Sequence, residues 1–140
     1  MGNTIGIDYG LKRIGLAIHN PASSLALPIG TIPCQSGLTA TVQFLMEHLK
    51  ERMPIDLFVI GYPSSLKGTN TEMCNRINAF ARELQLRTEI PVNLFDERYT
   101  SLMAETLLKE LNQSRKKRKE SIDTTSACVI LQNYLDSIGI

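Results

Sequence analysis

No apolar stretch of this 140-residue chain approaches the ~20 residues that a membrane helix needs, so no bilayer-spanning segment is expected. The N-terminus shows no basic region, apolar core or small-residue cleavage site, and the expected location is cytoplasmic. Cysteines are few: Cys34, Cys74 and Cys128 are odd in number, widely spaced and free of any CxxC or Cys/His pattern. That argues against a disulfide framework and against a zinc site, and leaves reduced structural thiols, with Cys128 a small apolar filler in the last helix. His19 and His48 stand in no nucleophile–base–acid pattern, so a Ser-His-Asp mechanism has no support. Residues 61–69 carry two glycines separated by six residues, but Lys67 precedes Gly68 and no Gly-Lys-Ser/Thr order occurs. A Walker-type nucleotide cradle is therefore disfavoured.

What is present fits one domain spanning 1–140, with 43% hydrophobic residues and a length sufficient for one core. The net charge of +1 is unevenly placed. Arg115, Lys116, Lys117, Arg118 and Lys119 supply five of fifteen cations, leaving ten against fourteen acids elsewhere, formally −4. Such a block reads as a solvated loop, and beside an acidic site it is suited to hold a polyanion.

Residues 4–9 and 13–19 have strand-like density of Val, Ile and Leu and are joined by a short Gly-containing connection, which predicts a β-hairpin. A third strand is expected near residues 27–32, where Pro28 places it toward an edge. Val42, Leu45, Met46, Leu49 and Met53 then recur at helical spacing up to Pro54, and residues 57–61 form a continuous apolar run suited to a strand buried on both faces. Met73, Ile77, Phe80, Ala81 and Leu84 mark the next helix, with Thr71 as its N-cap. Residues 92–95 return to strand. Met103, Leu107, Leu108 and Leu111 predict a third helix, and Ala127, Leu131, Tyr134 and Ile138 a fourth. The order βββαβαβαα predicts an α/β fold with a five-stranded mixed sheet and helices on both faces.

The chemistry is expected in carboxylates far apart in sequence. Asp8 interrupts an apolar strand, where an unpaired charge costs several kcal/mol; a salt bridge to Lys12 or Arg13 is the structural alternative. Gly6 and Gly10 flank it and allow close backbone or ligand approach. Asp96 and Glu97 end a later strand and by alternation point to opposite sides, so at most one need face a common site. Asp123 is expected to open the last helix, a position where acids commonly cap. Carboxylates that converge repel unless a cation neutralises them, and hard oxygen donors suit Mg²⁺ or Mn²⁺.

Four blocks together resemble the YqgF/RuvX family: Ile7-Asp8-Tyr9-Gly10-Leu11-Lys12-Arg13-Ile14-Gly15-Leu16-Ala17; Val59-Ile60-Gly61-Tyr62-Pro63 with Lys67-Gly68-Thr69; Asp96-Glu97-Arg98-Tyr99-Thr100-Ser101; and Asp123-Thr124-Thr125-Ser126-Ala127. The resemblance implies a ribonuclease H-like fold related to Holliday-junction resolvases, and a bacterial nuclease role in maturing the 5′ end of pre-16S rRNA. It maps the family's catalytic, metal-holding acids onto Asp8, Glu97 and Asp123, with Asp96 as a fourth. Where the family commonly has Gly-Leu-Pro, this chain has Gly61-Tyr62-Pro63, which bears on substrate preference. On this reading Lys12, Arg13, Lys67, Arg98 and the 115–119 run grip phosphates of the nucleic acid, precursor rRNA before branched DNA, and the chain acts as a monomer or weak homodimer. A junction resolvase, a non-catalytic RNA-binding module and an actin-like phosphotransferase are the alternatives; the last needs two such domains.

Overall fold

Alternation of large and small residues along the first two strands sets the architecture. A computed structural model describes residues 2–63, 71–96 and 115–139, with the side chains of residues 71 and 115–125 outside the description. Strands β1 (Asn3–Tyr9), β2 (Arg13–His19) and β3 (Leu27–Pro33) form an antiparallel meander. Strands β4 (Ile55–Tyr62) and β5 (Val92–Asp96) then add in parallel beyond β1, giving the spatial order β3-β2-β1-β4-β5. Helices α1 (Leu38–His48), α2 (Thr71–Thr88) and α3 (Arg115–Ser137) and a 3₁₀ turn (Lys50–Arg52) complete the described elements. The mixed five-stranded sheet is the one the element order implies, and Pro28 does stand on an edge strand, where a missing N–H breaks no ladder.

Ile5, Ile7, Ile14, Leu16, Phe58 and Ile60 belong to one buried cluster with Val42 and Leu45 of α1 and Phe80 and Leu84 of α2. The intervening strand residues face the other way, where Ala17 and Val59 pack on Ala127, Ile130, Leu131 and Leu135 of α3. Helices on both faces are what parallel crossovers produce, and they explain why β4 is apolar throughout its middle. Gly6 makes the α3 contact possible. A Cβ there would stand 2.7 Å from Leu131 Cβ and 3.0 Å from the Ala127 carbonyl oxygen, so any side chain would push the helix away.

Helix α2 runs antiparallel to β4. The Cys74 thiol lies 3.9 Å from the Pro63 carbonyl, beyond the end of β4, while Gln85 Oε1 accepts a bond from the Val92 amide (3.1 Å) at the start of β5. The entry to α1 is pinned by buried Thr41, whose hydroxyl donates to Gly37 O (2.8 Å) and accepts from the Gln35 amide (3.0 Å).

Three expectations change. Helix α1 ends at His48 rather than running to Met53, which is 50% exposed; the chain tightens into the 3₁₀ turn, and the residue before Pro54 is disfavoured in helical conformation. Thr71 is the first residue of α2, not its cap. The 115–119 run is no loop: α3 is helical from Arg115, so Asp123 lies well inside the helix instead of opening it. Lys and Arg are good helix formers, and no Gly or Pro interrupts residues 112–137, so propensity outweighs repulsion between neighbouring charges, which costs only a few tenths of a kcal/mol per pair. The expected third helix over 103–111 lies outside the described residues.

Candidate active site

Parallel strands β1, β4 and β5 end at one edge of the sheet, and Asp8 is the penultimate residue of β1 there. Its carboxylate is half-buried on the α3 face, and neither Asp8 nor Arg13 is without a partner in the fold. Register defines its surroundings. Asp8 is directly opposite Gly15 on β2, and because Ile7 pairs with Ile60, the residue beside Asp8 on β4 is Gly61, itself paired with Phe95. Both immediate neighbours across the sheet are therefore buried glycines, which set no side chain against the carboxylate. Gly6 and Gly10 have other tasks: Gly6 admits α3, and Gly10 closes the turn, where a Cβ would meet the Arg13 carbonyl oxygen at 2.6 Å. Gly15 and Gly61 are the positions that sequence reasoning missed; the hairpin connection signals the first, while the second depends on a pairing between strands far apart in the chain.

Helix α3 descends across this face from the carboxyl edge. Ala127 sits over Gly6, and farther along Gln132 accepts from the Ala26 amide (2.9 Å) and donates to Ser24 O (3.3 Å) in the β2–β3 connection at the other end. Four residues back from Ala127 is about 6 Å along the helix, close to the ~6.6 Å from Gly6 to Asp8 along the strand. The backbone of residue 123 thus falls at the level of Asp8, while its side chain is outside the description. Asp96 ends β5 and is exposed; alternation gives it the parity of Val92 and Leu94, facing α2, whereas Phe95 packs toward α3. Glu97, Arg98 and Lys67 lie outside the described residues. Lys12 and Arg13 are exposed at the β1–β2 turn, held by bonds from Gly10 N to Arg13 O and from Cys34 N to Lys12 O, both 2.9 Å. Side chains of Arg115, Lys116, Lys117, Arg118 and Lys119 are likewise outside the description, on the first turns of α3.

Among the described residues no three His, Cys, Asp or Glu side chains gather into a metal-holding group; of the expected acids, the side chains of Asp8 and Asp96 are described, and by alternation they face opposite sides of the sheet. On the α2 side of the same edge, a hydrogen bond to Cys74 and burial raise the Tyr62 phenol above its ordinary value while Asn78 opposes them. His19 is a fold residue: its Nε2 lies 2.6 Å from the Ser23 carbonyl, which can only accept, so that nitrogen carries a proton and ties the β2–β3 connection. The cysteines described are free thiols, and burial pushes Cys128 up to about 11. A groove of about 590 Å³ between α2 and β5, lined by Arg82, Leu86, Val92 and Leu94, is on the face opposite Asp8 and brings no acids together. The strand-end carboxylate between two glycines is the better chemical site.

A mixed five-stranded sheet in the order β3-β2-β1-β4-β5 with helices on both faces defines the ribonuclease H-like class of folds. Two solved structures share the fold: the Fowlpox virus resolvase with Holliday junction DNA (TM-score 0.61, 12% identity, 99% of each chain covered) and T. thermophilus RuvC with a Holliday junction substrate (TM-score 0.56, 13% identity, 99% of this chain and 97% of that one). The family model RuvX, described as Holliday junction resolvase, matches residues 2–137, and the chain belongs to that family of phosphodiester hydrolases. Relatives named "Putative pre-16S rRNA nuclease" include proteins of Protochlamydia amoebophila (38% identity, 95% of this chain and 92% of the relative) and Chlorobaculum tepidum (41%, with the same coverage). No helix among the described residues is long and apolar enough to cross a membrane.

Proposed function

We propose that this protein is a divalent-metal-dependent endonuclease of the cytoplasm that processes precursor rRNA, as its named relatives suggest, with Asp8, Glu97 and Asp123 as the acids of the active site. The carrying observation is Asp8 at the carboxyl edge of β1, flanked by Gly15 and Gly61 and approached by the α3 turn that contains residue 123. Hard carboxylate oxygens, with glycine instead of a competing side chain on either side of Asp8, fit Mg²⁺ or Mn²⁺. Bound there, such ions supply Lewis acidity toward the phosphoryl group and a more acidic water. The parity of Asp96 favours Glu97 as the acid shared from the β5 end, since Asp96 belongs to the other face. Asp8 orients the site from a strand buried on both sides, which holds its geometry rigid. Lys12 and Arg13 at the adjacent turn, together with Lys67, Arg98 and the basic first turns of α3, attract the polyanionic strand and fix its register without reading bases.

Asp8→Asn keeps size and hydrogen-bonding shape but removes the charge, and is expected to abolish Mg²⁺-dependent cleavage of an rRNA precursor, on the order of 10³-fold or more for a loss of several kcal/mol. Circular dichroism and RNA binding should be retained. Undiminished cleavage by this variant would defeat the assignment. The resolvase reading is favoured by the family description and the junction-bound neighbours, and it requires a two-fold pair of chains to cut symmetric strands. Faster cleavage of a four-way junction than of the rRNA precursor would favour that reading.

A further inference from the structure

We propose that the α2 side of the same sheet edge, Arg76 beside the Tyr9 and Tyr62 pair, is a second phosphate-backbone contact for the nucleic-acid strand, continuous with Lys12 and Arg13. This inference rests on the nuclease reading and deepens it, because it states the path along which the substrate leaves the acids.

Tyr9 and Tyr62 are the last residues of adjacent parallel strands, each two residues beyond the Ile7–Ile60 pair, so they stand side by side on the face opposite Asp8. Tyr9 packs on Phe80 of α2 with ring centroids 4.7 Å apart, and the Tyr62 hydroxyl accepts a bond from Asn78 Nδ2 at 3.2 Å. Arg76 is one helical turn before Phe80, on the same side of α2 and nearer the edge, because α2 runs back along β4 from Cys74 at the Pro63 end. Burial and the Cys34 thiol hold the Tyr9 phenol above its ordinary value while Arg76 opposes them, which puts the cation within electrostatic reach of the ring. The Arg76 side chain is 52% exposed, and its described ion pair is with Glu72 at 3.2 Å, itself 83% exposed. An ion pair this open contributes little, so the guanidinium can exchange Glu72 for a phosphate, whose two oxygens match its planar fork.

Charge sets the direction. Arg76 and Lys12 are exposed cations near the end of β1, so the strand leaving the acids passes over that end toward them. The α2 side then adds a phosphate contact to those proposed at the turn and on α3.

Binding of a labelled single-stranded RNA by the full chain, measured in EDTA over a range of salt, tests this. Arg76→Gln is expected to weaken binding about fivefold at 0.1 M salt and to lower the log-log salt slope by about 0.7, the signature of one lost phosphate contact. Glu72→Gln, which releases Arg76, should tighten binding. Arg52→Gln, an exposed cation at the opposite edge of the sheet, should bind as the unaltered protein does. Unaltered affinity and slope in Arg76→Gln would overturn the second contact while leaving the nuclease reading intact. Failure of the unaltered chain to bind RNA at all would bring down both.

Discussion

The two faces of one sheet are built to different rules. Toward α1 and α2, strands β1, β2 and β4 present Ile5, Ile7, Ile14, Leu16, Phe58 and Ile60, all fully buried. Toward α3 the same strands present Gly6, Asp8, Gly15, Ala17, Val59 and Gly61. Large side chains on the first face hold the helices at a distance and supply most of the burial. Small ones on the second let a helix backbone come close and set no side chain beside a carboxylate. Stability is concentrated on one side, and the candidate chemistry on the other.

That division can be broken deliberately. The largest effect is expected from Phe58→Ala, which empties the centre of the dense face; it should cost ~3–5 kcal/mol in denaturant unfolding. Gly6→Ala should cost less, ~1–3 kcal/mol, because the added methyl forces α3 outward instead of leaving a void, and cleavage should fall with it. Gly15→Ala separates space from stability. Fixing the backbone of a strand glycine offsets any crowding, so unfolding should shift by less than ~0.5 kcal/mol, while Mn²⁺ affinity should fall about tenfold as the methyl intrudes beside Asp8. If Gly15→Ala proved as destabilising as Phe58→Ala and bound Mn²⁺ normally, the comparison between the faces would fail.

The smallest effect concerns Cys128 on α3. Its folded pKa of about 11 lies above the ordinary 9.0, so the neutral thiol is the form the fold favours. The stabilisation is complete below pH 9 and is lost as pH rises toward 11. Alkylation of Cys128 at pH 8 should accordingly be slower than in the urea-unfolded chain, and equal rates would contradict the burial of that thiol.

Much of this was legible in the sequence, for reasons that differ by element. The hairpin of β1 and β2 is local: two apolar runs and a short turn fix both ends, and the structure places them within one residue of the expected bounds. The buried run of β4 and the edge position of β3 follow from composition and from Pro28. The extent of α3 was not legible, because five consecutive cations read as a self-repelling loop when in fact each is a good helix former. Within the candidate site, Asp8 stood out as a charge in an apolar strand. The glycines beside it did not, since Gly61 becomes its neighbour only through the parallel pairing of β1 with β4, which no local pattern encodes.

Calorimetric titration of Mn²⁺ into the unaltered protein and into Asp8→Asn at neutral pH tests the central claim most directly. Saturable binding by the unaltered chain that disappears in the variant is the predicted result. Equal binding by both, or none by either, would contradict a metal centre built around Asp8.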